Sequence, residues 1–225
     1  MKKLLLVLLI WFSQNLFAQS DCVTAITVCG NAGVSYTPSG SGSVPEPLGG
    51  CLSGEHYSVW YKFTAATAGT LTFVIVPNGN ADYDWAVYGP NVNCNNLGTP
   101  IRCSYDAPTS DDGTYNTGLS LTSTVISEGA GGTGYCKYLD VLPGESYYLI
   151  VDNYSSNTNG FALTWGGTAT LASSFDNPGV QPNPIIPPGP NHDGFISMCA
   201  TTASYDFTQL SAGIINNNPN FVISY

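Results

Sequence analysis

Apolar and polar positions alternate with a period of two through most of residues 55–165. Leu71, Phe73 and Ile75 fall on one face and Thr70 and Thr72 on the other; Phe161, Leu163 and Trp165 line up against Ala162 and Thr164. Such alternation predicts half-buried strands. Residues 58–64 and 82–88 read the same way, set between turns rich in Gly, Asn and Asp. The run 147–151 is apolar on both faces, which predicts a central place in its sheet, and it joins 137–141 through a turn at Pro143-Gly144. No segment repeats at the helical period. The expected fold is all-β: an antiparallel two-sheet β-sandwich spanning residues 19–173.

The two ends of the chain read differently. Lys2 and Lys3 precede an apolar run from Leu4 to Phe12 and a small-residue stretch ending at Ala18, which predicts a secretory signal peptide over residues 1–18. That run is too short to cross a bilayer, which takes ~20 apolar residues, and no other segment approaches that length. Residues 174–190 form a proline-rich linker, with six prolines between Asp176 and Pro190. Beyond it, 191–225 resumes a β-like pattern, with candidate strands at 205–210 and 221–225. So short a stretch cannot bury a core alone, so the expectation is a partial second β domain of a longer exported protein.

Charge narrows the partners. Once residues 1–18 are removed, Lys62, Arg102 and Lys137 are the only basic side chains against fifteen acids. Nucleic acid is therefore not an expected partner, and anionic lipid is a poor one. Seven cysteines in an exported chain read as a disulfide framework. Connectivity stays open; the short loop favours Cys94 with Cys103, and Cys22 with Cys29 and Cys51 with Cys136 are the companion expectations. No Cys-x-x-Cys spacing suggests zinc.

Several segments carry a resemblance. Trp60-Tyr61-x-Phe63, Gly69 to Thr72, Asp82-Tyr83-Asp84 with Val87-Tyr88, Gly144 to Val151 and Gly160 to Thr164 together resemble the bacterial pre-peptidase C-terminal (PPC) domain. The cysteines, Tyr83-Asp84 and the closing run from Asn159 to Trp165 also resemble CUB domains, giving a jelly-roll/CUB-like or PPC-like sandwich. The layout, including Gly50 to Glu55 and Thr164 to Thr168, is similar to the N-terminal module of Bacteroidota surface proteins associated with type IX secretion and gliding motility. These resemblances imply a non-catalytic module at the cell surface, serving adhesion or ligand recognition. Its partners would be an extracellular glycan or protein and downstream β domains of the same polypeptide.

The CUB resemblance also implies a calcium site with Glu55, Asp84 and Asp152 as ligands and Asn153 and Asp82 as helpers. Calcium takes six to eight oxygens, which carboxylates, carbonyls and water supply. Asp111-Asp112-Gly113 reads as a turn before it reads as a second cation loop. Tyr105 and Tyr154 lie in polar stretches and are expected to be exposed, where they can stack on a sugar ring; Trp85 shares its face with Tyr83 and Val87 and is expected to be buried. Catalysis finds little footing. His56 and His192 stand on opposite sides of the linker, in neither a His-Glu-x-x-His nor a Gly-x-Ser-x-Gly context. Asp82 and Asp84 point the same way on one strand, as two cation ligands would, and are read so rather than as a glycosidase pair. The alternative function is an accessory carbohydrate-binding or targeting domain of an exported hydrolase.

Overall fold

The computed structural model describes residues 19–107 and 114–172. The expected signal peptide, the Asp111-Asp112-Gly113 turn, the linker and the second β domain lie outside the described residues. Among the described residues, twelve strands follow a short 3-10 turn at Cys22–Thr24. They are β1 (Ile26–Thr27), β2 (Val34–Tyr36), β3 (Tyr57–Thr64), β4 (Gly69–Pro77), β5 (Tyr83–Tyr88) and β6 (Arg102–Ser104). Then come β7 (Thr117–Ser120), β8 (Ser127–Glu128), β9 (Tyr135–Lys137), β10 (Leu139–Val141), β11 (Ser146–Asn153) and β12 (Phe161–Gly167).

These strands form a two-sheet sandwich. One sheet has the order β1-β3-β11-β5-β6-β8 and the other β2-β12-β4-β7-β9, with β10 also paired to β4. The long central pairs are antiparallel, as expected. Antiparallel pairing is not universal: β1 with β3, β6 with β8 and β7 with β9 are parallel. Each of these involves a strand of two to four residues at a sheet margin, which the alternation pattern is too short to orient. The turn at Pro143-Gly144 leads from β10 in one sheet to β11 in the other, so it crosses the sandwich.

The alternating faces meet as predicted. Leu71, Phe73, Ile75, Phe161 and Leu163 from one sheet pack on Val59, Tyr61, Tyr83, Trp85, Leu149 and Val151 from the other. Fully burying each such side chain is worth about 1.5–3 kcal/mol. Trp85 stands edge-on to Phe73 and donates from Nε1 to Thr117 Oγ1 at 2.7 Å. Next to it β7 passes close to β4, and Gly118 has φ +148° with its missing Cβ aimed at the Phe73 carbonyl. Glycine suits this position on both counts.

A second apolar layer covers the outer face of the first sheet. Trp60, Ala86, Tyr88 and Ile150 point away from the sandwich core and are buried under Cys22, Leu48, Leu52 and Leu97. The cover is the chain before β3 together with the loop between β5 and β6. Every residue of β5 is therefore buried, and β11 is apolar on both faces because both are covered. Disulfides Cys22–Cys94 and Cys51–Cys103 fasten this cover. The expected pairs Cys94–Cys103, Cys22–Cys29 and Cys51–Cys136 are thus corrected. Cys103 points outward from β6 to meet the cover, whereas Cys136 lies in the inter-sheet core as a free thiol.

Candidate functional site

The register brings the acids together. Across the outer face of the first sheet, Ser58 of β3, Asp152 of β11 and Asp84 of β5 stand in one row. Asp82 lies two residues before Asp84, and the backbone N–H of Asp82 donates to Ser155 Oγ at 3.0 Å. Asp106, just past β6, completes the group; its backbone N–H donates to Ser104 Oγ at 3.3 Å.

The electrostatics of the group are strained. Asp84 is 8% exposed, and its carboxyl is pushed up to about 8 by burial first and then by the charges of Asp82, Asp152 and Asp106. No donor among the described residues reaches it. Burial, followed by the charge of Asp106, pushes Asp82 up to about 6, and Asp82 Oδ1 is buried without a hydrogen-bond partner. Like charges crowded together in low dielectric disfavour ionisation unless a cation or proton neutralises them.

Asp152 has a partner. His56 Nδ1 lies 2.8 Å from Asp152 Oδ2, and the His56 backbone N–H donates to Oδ1 at 2.7 Å. Burial still raises the Asp152 carboxyl above its ordinary range against these contacts. The exposed ring of Tyr154 packs edge-on to His56 with centroids 4.7 Å apart. Tyr105, also exposed, immediately precedes Asp106. Tyr154 thus adjoins Asp152 through His56, whereas the ring end of Tyr105 lies against Gly129.

Two of the expected ligands stand elsewhere. Asn153 turns to the opposite face, where Nδ2 donates to Asn157 O and Asn157 Oδ1, both at 3.1 Å, and to Asn159 O at 3.3 Å. It ties the β11–β12 turn. Glu55 faces the apolar cover: Oε1 accepts from Trp60 Nε1 at 3.0 Å and Ser58 Oγ at 3.2 Å, and its carboxyl neighbour is Glu46. Burial, and then the Glu46 carboxyl, push Glu55 up to about 8. The two acids line a cleft of about 250 Å³ with Ser41, Ser43, Val44 and Leu48.

Asp106 was missed by sequence reasoning. The available signal was the Tyr105-Asp106 dipeptide, which repeats Tyr83-Asp84 on the neighbouring strand. As placed, no three His, Cys, Asp or Glu side chains among the described residues converge into a metal cage. The donor set itself is hard oxygen with a buried orphan atom, which fits calcium better than zinc or copper.

No protein-family profile matches the sequence, and no curated protein matches it. Among solved structures it is similar to the pre-peptidase C-terminal domain of a collagenase from Bacillus anthracis, at 13% identity over 63% of this chain and 94% of that one, with a TM-score of 0.36. It is also similar to a periplasmic inhibitor of g-type lysozyme from Aeromonas hydrophila, at 9% identity over 64% of this chain and 96% of that one, with a TM-score of 0.32. Overlays this loose carry no argument about the site. The β-sandwich assignment rests on the chain's own two sheets.

Proposed function

We propose that this chain is an exported, non-catalytic binding module whose recognition end is the aspartate group, held by calcium, with the exposed Tyr154 adjoining Asp152 through His56 and the exposed Tyr105 next in sequence to Asp106. The observation that carries the reading is Asp84: a buried carboxyl without a donor, facing three other aspartates. A divalent cation offsets that crowding, and backbone carbonyls and water supply the remaining oxygens. Asp82, Asp84 and Asp106 would hold the ion, with Asp152 kept in line by His56. The two disulfides and the N-terminal sequence support export to an oxidising compartment, where calcium is abundant.

The exposed tyrosines favour a glycan over a protein ligand. Each offers an aromatic face to a sugar whose hydroxyls can ligate the cation, and a rigid sandwich end loses little entropy on binding. Calorimetric titration of calcium into residues 19–225 tests the ion. Saturable binding, lost in Asp84→Asn and in Asp106→Asn, is the expected result; no heat in the unaltered chain sinks the proposal. A glycan array run in calcium, with Tyr105→Ala and Tyr154→Ala alongside, tests the ligand class. Retained glycan binding in both variants removes the tyrosines from the site.

A further inference from the structure

The two sheets differ on their outer faces. The disulfide-fastened cover seals that of the first sheet, and no apolar layer covers that of the second among the described residues. Alternation turns Leu71, Phe73 and Ile75 inward, so Thr72, Val74 and Val76 of β4 point out, joined by Ala162, Thr164 and Gly166 of β12 in register with them. Val76 and Thr164 are exposed. All six are small or β-branched and none carries a charge, on a chain with fifteen acids. We propose that this face is an interface with a second copy of the chain, the two outer sheets stacking about a two-fold axis.

The charges at the margin of the face select that occupant. Among the described residues the register puts two there: Lys137 of β9, paired with Ser120, and Asp140 of β10, paired with Thr70. They are opposite in sign, and neither has an ion-pair partner among the described residues. In a two-fold contact residue i of one copy meets residue j of the other and the reverse, so a face with one base and one acid is self-complementary. A basic partner would be opposed by Lys137 and an acidic one by Asp140, whereas a second copy sets each against the other. The uncharged centre matters as much, because two acidic chains can approach here without setting carboxylate against carboxylate.

Area sets the strength. Short side chains let a second sheet stack on this one at a spacing of about 10 Å. The seven paired residues of β4 and β12 run about 23 Å, and the five strands β2, β12, β4, β7 and β9 span roughly 24 Å. Full overlap therefore removes about 1,100 Å² counted over both copies, at the lower end for a specific interface and in the range of reversible ones. The expected state is a monomer–dimer equilibrium in the micromolar range. The aspartate row lies on the outer face of the other sheet, so a pair keeps both rows open. A multivalent ligand held by one row meets the second at high effective concentration.

Sedimentation equilibrium of the oxidised chain, residues 19–225, tests the contact. The weight-average mass should rise from monomer towards dimer between micromolar and millimolar concentration and stop there. Thr164→Glu puts a carboxylate on each copy near the centre of the contact and should weaken association at least tenfold. Lys137→Asp and Asp140→Lys should each weaken it, and the double variant should restore it, which a merely misfolded chain would not do. Lys62→Asp makes the same change of charge on the other sheet and should leave association unchanged. A monomeric mass throughout, a mass that climbs past the dimer, association indifferent to Thr164→Glu, or a double variant as weak as the single ones overturns the proposal.

Discussion

Glu55 shows how far single residues could be read in advance. It was expected among cation ligands, but its carboxyl faces Trp60, Ser58 and Glu46 under the cover. The cover has no periodicity, so nothing in the sequence announced that Glu46 would meet it. The consequence is a pH dependence. The folded chain keeps a proton on Glu55 up to about 8, while the unfolded chain releases it near 4.5. In that window the native state binds more protons, so stability is fully present below the lower value and falls as pH rises through the upper one. Glu55→Gln copies the protonated form. It is expected to raise the melting temperature by several degrees at pH 8 and to leave it unchanged at pH 4.5; equal shifts at both pH values would contradict the assignment. Tyr105 and Tyr154, by contrast, were legible as exposed and Trp85 as buried, because neighbouring polarity and strand alternation act over two or three residues.

Elements were legible where strands are long. The faces of β4 and β12 follow from period-two patterning, and the two-sided apolarity of 147–151 marked a central strand. The parallel margins were not legible because their strands are too short for alternation to orient, and the disulfides because they depend on how a non-periodic segment of some 38 residues folds back over a sheet. Sequence separations of 72 and 52 give no hint that Cys22 would reach Cys94 or Cys51 reach Cys103. Removing Cys22–Cys94 by paired serine substitution is expected to cost about 2–4 kcal/mol. The loss should be local: hydrogen exchange should quicken in residues 19–55 and 89–101 while β3 and β11 stay protected. Uniformly faster exchange across β3 and β11 would show that the cover is part of the core's cooperative unit.

At the scale of the molecule, the sandwich separates two ends. One gathers Asp82, Asp84, Asp106 and Asp152; the other pairs Gly30 with Ala172 and Ala172 with Thr64. The carboxylate end was partly legible, since Asp82, Asp84 and Asp152 were singled out together, while Asp106 entered only through the register of β5 against β6. An acidic chain with three Lys and Arg side chains beyond residue 18 has little internal means of neutralising that end, so it is held at a cost in the absence of a cation. The central claim is tested most directly by the melting temperature at pH 8 of the unaltered chain and of Asp84→Asn, each in chelator and in calcium. Asp84→Asn removes a crowded charge and should melt higher than the unaltered chain in chelator; in calcium the order should reverse, because only the unaltered chain gains. A shift of about 2–4 °C per kcal/mol makes either difference readable. If calcium leaves the unaltered chain where chelator does, and the order of the two proteins is the same in both, the aspartates are not a calcium site.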